Sequence, residues 1–241
     1  DRRTVEDLNH LANVAQRARQ AGSGRNRSNT GGILVPLLLG TPAAAGSGAT
    51  VVSGDPRYMA AGIALSGLAH GKQYITIDET YRHFKESGID KAVIVNMVSY
   101  NQWGRALPND YLGQYARKYP DMFIPFAGVD PHMGPPALRE IERAVKELGC
   151  KGLKFHPAYQ EFRPNDKPLM WPLYEKCVEL DIAILVHTGN TRMTRCTLDG
   201  CRPLLLDDVA TAFPDLRIIM THFGWPWTEE ALAVCWRHEH V

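Results

Sequence analysis

Three short runs decide the fold: Lys151-Gly-Leu-Lys-Phe-His156-Pro157, Ile182-Ala-Ile-Leu-Val-His187-Thr-Gly189 and Leu216-Arg-Ile-Ile-Met-Thr-His222-Phe-Gly224. Each stays largely apolar until it reaches a histidine, and a helix-length amphipathic segment separates each from the next. A strand that is apolar up to a metal-capable side chain at its C-terminal end is how a parallel α/β barrel builds an active site on one face. Working outward, further strand-like runs occupy 91–98 and 122–129, and helical patterns fall at about 108–118, 135–148, 168–180, 203–213 and 228–238. Ile77–Gly88 reads as another helix, closed by glycine at its C′ position. The five strand starts lie 31, 29, 31 and 34 residues apart. That is the βαβ period, and consecutive βαβ units imply a parallel sheet.

An open doubly wound sheet shares this period. Two observations favour a barrel instead. No glycine-rich phosphate loop follows any of the strands, and polar strand-end residues recur on successive strands, as befits a ring of loops around one mouth. The expected fold class is therefore α/β, a TIM-barrel-like (β/α)8 arrangement with about five to six βα units present. A sixth strand would come from 33–39 or from Ile63–His70. An open parallel edge invites aggregation, so the chain is expected to be truncated or to borrow strands from a partner.

The N-terminal region has a different composition. Residues 4–20 carry apolar side chains at helical spacing, and 21–54 are rich in Gly, Ser, Ala and Thr. No acidic residue occurs from Leu8 to Gly54, whereas Arg17, Arg19, Arg25 and Arg27 do. The expected division is a flexible leader over 1–54 and a partial barrel over 55–241, the leader alternatively being a targeting or secretory segment. A formal charge of +1 on 241 residues gives no field that would draw nucleic acid or an anionic membrane. No apolar run approaches the roughly 18 residues of a membrane span. The five cysteines form no regular framework, which suits a reducing, cytoplasmic setting; Cys196 and Cys201 alone lie close enough in sequence to suggest a bridge.

Side chains alternate along a strand. Lys154 and His156 thus share one face of their run, and Leu153 and Phe155 the other. If the apolar pair meets the helices, the lysine and histidine point toward the barrel axis. A lysine there needs an anionic partner. It either reaches the rim to pair with a carboxylate, or serves the site by holding substrate or as a metal-binding carbamate. His187 and His222 end adjacent strands about 4.8 Å apart, within reach of one small ion.

The segments GLKFHP at 152–157, HTG at 187–189, RPLLLDDVATAFPDLRIIMTHFGWPW at 202–227 and FAGVDPH at 126–132 together resemble the amidohydrolase-related metal-dependent hydrolases. These are distorted TIM barrels that also include decarboxylases. The resemblance runs from about residue 77 to the end. It implies that His187 is the fifth-strand metal ligand, and that His222 is a second ligand or the group orienting the attacking water. Lys154 would be a catalytic or site-lining residue, beside His156. His156, Tyr159, Arg163, Asn190, Arg192 and Trp225 would line the mouth and bind substrate, either arginine serving a substrate carboxylate. The implied cofactor is a divalent metal, commonly zinc, which activates water and polarises a carbonyl.

The family's opening His-x-His pair and closing Asp have no counterpart here in the expected places. His238-Glu-His240 has the spacing but follows a helix rather than the first strand. The expected activity is hydrolysis of a C–N or C–O bond next to a carbonyl in a small molecule carrying a carboxylate or amide. The alternatives are decarboxylation on the same fold, and a non-catalytic remnant or half of a homo-oligomeric assembly.

Overall fold

The structure, a computed structural model, describes residues 37–39, 76–99, 108–191 and 196–241. The leader over 1–54 lies outside the described residues apart from Leu37–Leu39; so do the strand considered at Ile63–His70 and the site candidate Arg192.

In chain order the elements are β1 (Leu37–Leu39), α1 (Ile77–Glu86), β2 (Ala92–Asn96), α2 (Asp110–Lys118), β3 (Phe123–Gly128), α3 (Pro135–Lys146) and β4 (Gly152–Phe155). There follow α4 (Pro157–Gln160), α5 (Lys167–Glu179), β5 (Ala183–Val186), α6 (Leu205–Ala212), β6 (Ile218–Met220) and α7 (Thr228–Arg237). The strands join one sheet in the order β1-β2-β3-β4-β5-β6. β3, β4, β5 and β6 pair in parallel, with Phe126 opposite Gly152, Leu153 opposite Ile184, and Ile184 opposite Ile218. Sequential order with every crossover a helix is what the thirty-residue period predicts. Each expected strand and helix from residue 77 onward is present within a few residues of its expected bounds, and β1 falls inside the first of the two stretches considered for an extra strand.

Two compact units divide the chain, one ending at Ile94 and resuming at Gln114–Pro125, the other comprising Val95–Gly113 and Phe126–Val241. In the first, α1 begins with a capping box in which Thr76 and Glu79 satisfy each other's backbone N–H. It ends before Gly88, whose φ of +71° is the left-handed C′ conformation glycine accepts without cost. Tyr81 stacks on Tyr119 with ring centroids 4.0 Å apart, and Phe84 meets Phe123 edge-on.

In the second unit, Leu153, Phe155, Ile184, Val186 and Ile218 pack with Ile141 of α3, Met170, Leu173 and Tyr174 of α5, and Leu206 and Val209 of α6. Leu153 and Phe155 thus take the helix side, as the alternation predicts. Phe155 meets Phe162 and Tyr174 edge-on at 6.0 and 6.3 Å. Side by side, Asn96 Nδ2 donates to Asn109 Oδ1 at 2.8 Å and Asn109 Nδ2 to the Gly128 carbonyl at 3.0 Å, so the loop before α2 is bonded to the strand ends.

Several local expectations need correction. Tyr159 does not sit on a mouth loop: it lies in α4, only 9% exposed. The reason is that His156 leaves the strand and caps that short helix, its Nδ1 accepting from Tyr159 N–H at 3.4 Å. His222 is not the last strand residue but opens a 3-10 turn, His222–Gly224, after Thr221. Cys196 and Cys201 are both free thiols. His238 of the His-x-His look-alike bonds Asp207 at 2.8 Å, while the His240 carbonyl accepts from Ile218 N–H at 2.9 Å. That segment is thus bonded to α6 through Asp207 and to β6 through Ile218.

Candidate metal centre

The polar face of β4 and the ends of β5 and β6 converge on one buried cluster. Lys154 is 1% exposed, His156 2% and His187 6%. Four rings form a continuous stack. Tyr159 lies on His156 at 3.6 Å between centroids, His156 on His187 at 3.7 Å, and His222 tilts against His187 at 4.6 Å.

The loops that hold these rings are pinned by backbone geometry. Gly189 has a φ of +84°, and a Cβ there would lie 2.3 Å from the Trp225 carbonyl oxygen. Only glycine allows the turn after β5 to approach the turn after β6 so closely. Asn190 N–H then donates to Trp225 O at 2.6 Å, and Thr188 Oγ1 to Thr221 O at 2.5 Å. On the other side Gln160, fully buried, bonds three strand ends. Its Nε2 donates to Val98 O at 2.6 Å and Val129 O at 2.7 Å, while its Oε1 accepts from His156 N–H at 2.7 Å. Ser99 Oγ adds a bond to Tyr159 O at 2.6 Å.

Within this frame two buried polar atoms, Lys154 Nζ and His187 Nε2, have no partner among the described residues. A buried unpaired donor or acceptor costs about 1–3 kcal/mol, and a group that bonded these two atoms would recover that cost. Electrostatics agree. Burial pushes the Lys154 ammonium down to about 7, the nearby Cys201 opposing slightly. His156 is held well below its usual value by burial and then by the charges of His187, Lys154 and His222. Burial and then Lys154 and His222 do the same to His187, opposed by the hydrogen bond its ring donates to the Asn190 backbone. His222, open to solvent along one edge, is the least enclosed ring and is lowered to about 4 by desolvation of its inner side and by Lys154. All three imidazoles are therefore neutral at pH 7, the form a metal ion needs.

Among the described residues, one group has the donors for a metal: His156, His187 and Cys201, whose ligand atoms all lie within 4.8 Å of one another. The unpaired His187 Nε2 and the neutral donor set fit a divalent ion. Of the remaining sequence candidates, Arg163 pairs with Asp199 at the surface, Asn190 is exposed, and Trp225 is 61% exposed. Sequence reasoning missed Cys201 and Gln160. Cys201 lies 45 residues beyond His156 on an irregular segment, and nothing in its neighbours signals that the chain folds back there. The i, i+4 spacing of His156 and Gln160, read as a helical turn, was the available sign for the second.

The amidohydrolase family model Amidohydro_2 matches residues 79–241. Two curated relatives are similar over shorter stretches. The 2-keto-4-carboxy-3-hexenedioate hydratase of Sphingobium sp. is 29% identical over 102 residues, 36% of this chain and 30% of that protein. The gamma-resorcylate decarboxylase of Polaromonas sp. is 34% identical over 90 residues, 34% of this chain and 27% of that protein. The matched stretches thus span about a third of the curated relatives' own length. Among solved structures, an uncharacterised TIM-barrel protein of Bordetella bronchiseptica aligns with a TM-score of 0.59 at 21% identity, covering 77% of this chain and 62% of that one. The 5-carboxyvanillate decarboxylase of Novosphingobium aromaticivorans, complexed with manganese and 4-hydroxy-3-methoxy-5-nitrobenzoic acid, aligns at 0.52 and 23%, covering 67% and 53%. The parallel sheet is thus one of TIM-barrel kind, and with two-thirds of its length matched by the family model, the chain belongs to the amidohydrolase family Amidohydro_2.

Proposed function

We propose that the protein is a divalent-metal-dependent decarboxylase of a small aromatic carboxylic acid. The observation that carries this reading is Lys154. Its Nζ is buried near His156 and His187 with no partner among the described residues, and an isolated buried cation is costly unless an anion arrives to pair with it. A carboxylate or phenolate supplies that anion. Relatives named as a decarboxylase and a hydratase, and a similar barrel that holds manganese and a benzoic acid, support this reading over the hydrolysis implied by the family name.

His187 and His156 would hold the ion, which supplies electrophilic stabilisation of developing negative charge. Lys154 binds an oxygen anion of the substrate, and the buried rings of Tyr159 and His156 keep water from it. Loss of CO2 leaves the bonding electron pair on the ring carbon, which must then take up one proton. His222 sits at the solvent-facing edge of the stack and is suited to deliver it. Neutral in the free site, it gains a proton more readily once an anionic substrate lies against it. Exposed aromatic surface at Phe223 and Trp225 flanks this ring, 57% and 61% open, and offers flat apolar area to a planar substrate.

The test is to load the protein with manganese or zinc and present a panel of hydroxybenzoic acids. The expected outcome is CO2 release with one deuterium from heavy water incorporated at the vacated carbon, and loss of both in Lys154→Met. Turnover of lactones, esters or amides with no CO2 released would replace this reading with the hydrolytic one. No turnover of either class by metal-loaded protein would favour a non-catalytic role.

A further inference from the structure

Cys201 lies in a 3-10 turn, Asp199–Cys201, far from the strand-end histidines in sequence, yet its side chain is fully buried at the same place. Its position is fixed rather than incidental. Cys201 N–H donates to Leu198 O at 2.8 Å, and its carbonyl accepts from Gly189 N–H at 2.8 Å, which ties the turn to the residue after His187-Thr188. The Ala158 backbone, in the turn that His156 caps, bonds the sulfur itself. The thiol is thus held between the loops that follow β4 and β5, where the two histidines also point.

Resting on the metal reading above, we infer that Cys201 is a third protein ligand, completing a His156–His187–Cys201 donor set of two imidazoles and one thiolate. The donor atoms of all three lie within 4.8 Å of one another, and His187 Nε2 is buried with no partner among the described residues. At metal–nitrogen distances of about 2.1 Å and metal–sulfur distances of about 2.3 Å, donors on one tetrahedral ion are roughly 3.5 Å apart, so only small adjustments of these side chains are needed. His156 has the freedom this needs. Its Nδ1 bond from Tyr159 N–H is long at 3.4 Å, and that N–H also reaches the His156 carbonyl at 3.0 Å. Its ring proton can therefore move to Nδ1 and free Nε2 at little cost.

Burial holds the free thiol protonated, at about 11. Coordination replaces the S–H proton by the metal and releases that proton to solvent, one per site. The Lys154 charge acts on Cys201 and would partly balance a thiolate there. A thiolate with two imidazoles favours thiophilic ions such as zinc or cobalt over manganese, for which oxygen donors are preferred.

The experiment is cobalt(II) titration of the full chain, followed by absorption. Bound in this set, cobalt shows both visible d–d bands and a near-ultraviolet thiolate-to-cobalt charge-transfer band. Cys201→Ser, nearly isosteric, is expected to abolish the charge-transfer band and to weaken cobalt binding at least about tenfold, since losing even an outer-shell partner costs 10–100-fold. Cys196→Ser, on the neighbouring segment, should leave the band unchanged. Cobalt bound with d–d bands but no charge-transfer band in the unmodified protein would overturn the role of Cys201 and leave the metal reading intact. A charge-transfer band that persists in Cys201→Ser would also overturn it, by assigning the sulfur elsewhere. No cobalt bound at all would remove the metal reading together with this one.

Discussion

The two faces of β4 are one residue apart and behave as different materials. Leu153 and Phe155 enter the helix-covered core, where they pack among apolar side chains and the rings meet edge to face. Lys154, between them, is as deeply buried but meets no hydrogen-bond partner among the described residues. His156 continues that polar face into a stack of rings. Burial alone therefore says little about what a residue does. The helix side is closed and satisfied, and it stabilises. The opposite side retains polar atoms with no partner among the described residues, which costs stability.

The contrast can be broken on the apolar side first. Phe155→Ala is expected to lower unfolding free energy by about 3–5 kcal/mol, as for other large core truncations, with metal stoichiometry per folded molecule unchanged. Urea unfolding and metal analysis on the same samples check both halves; loss of metal at full folding would show that the faces are not separable.

On the polar side the sign reverses. The Lys154 ammonium is lowered from 10.5 to about 7, so between these values the unfolded chain holds a proton that the folded chain has lost. Stability attributable to this group then rises with pH by about 1.4 kcal/mol per unit over that window, and the penalty is greatest below pH 7. Lys154→Met should remove this slope and raise stability near pH 6, while abolishing turnover. Urea midpoints against pH for the two proteins measure the difference; parallel curves would mean that Lys154 is not a buried cation.

The frame between the faces comes next. Gly189→Ala forces a left-handed residue to carry a Cβ against the Trp225 carbonyl, at a cost of about 1–3 kcal/mol, and it should displace His187 enough to weaken metal binding. A protein of unchanged stability with full metal affinity would show that the turn relaxes freely. The smallest effect is expected at Arg163→Ala. Its pairing with Asp199 is exposed at the surface, and such pairs contribute about 0–1 kcal/mol. Stability should scarcely change; a rise in KM at constant kcat would show that the arginine leaves Asp199 to hold substrate.

From residue 77 onward the architecture was legible because periodicity is a property of the backbone itself. Runs such as Ala183–Val186 and Ile218–Met220 can only be buried strands when amphipathic segments of helical length stand between them. The alternation Leu153, Lys154, Phe155, His156 likewise assigns faces without reference to any other part of the chain. Lys154, His156, His187 and His222 are therefore visible as one ridge from local pattern alone. Arg163 and Tyr159 were placed less well, because whether a loop residue lines a mouth depends on neighbours. Tyr159 is drawn into a helical turn by the His156 cap, and Arg163 is engaged by an aspartate 36 residues away.

What the amino-acid sequence determined by itself is the order of the strands, the face each side chain takes and the histidines at their ends, all consequences of φ/ψ periodicity and hydrophobic alternation. What only the tertiary structure decided is which groups share a site. The arrival of Cys201 beside His156 and His187, the three strand ends joined by Gln160, and the absence of any partner for Lys154 Nζ among the described residues arise from contacts between residues distant in the chain. Such contacts follow from how loops close in space, and no local pattern encodes them.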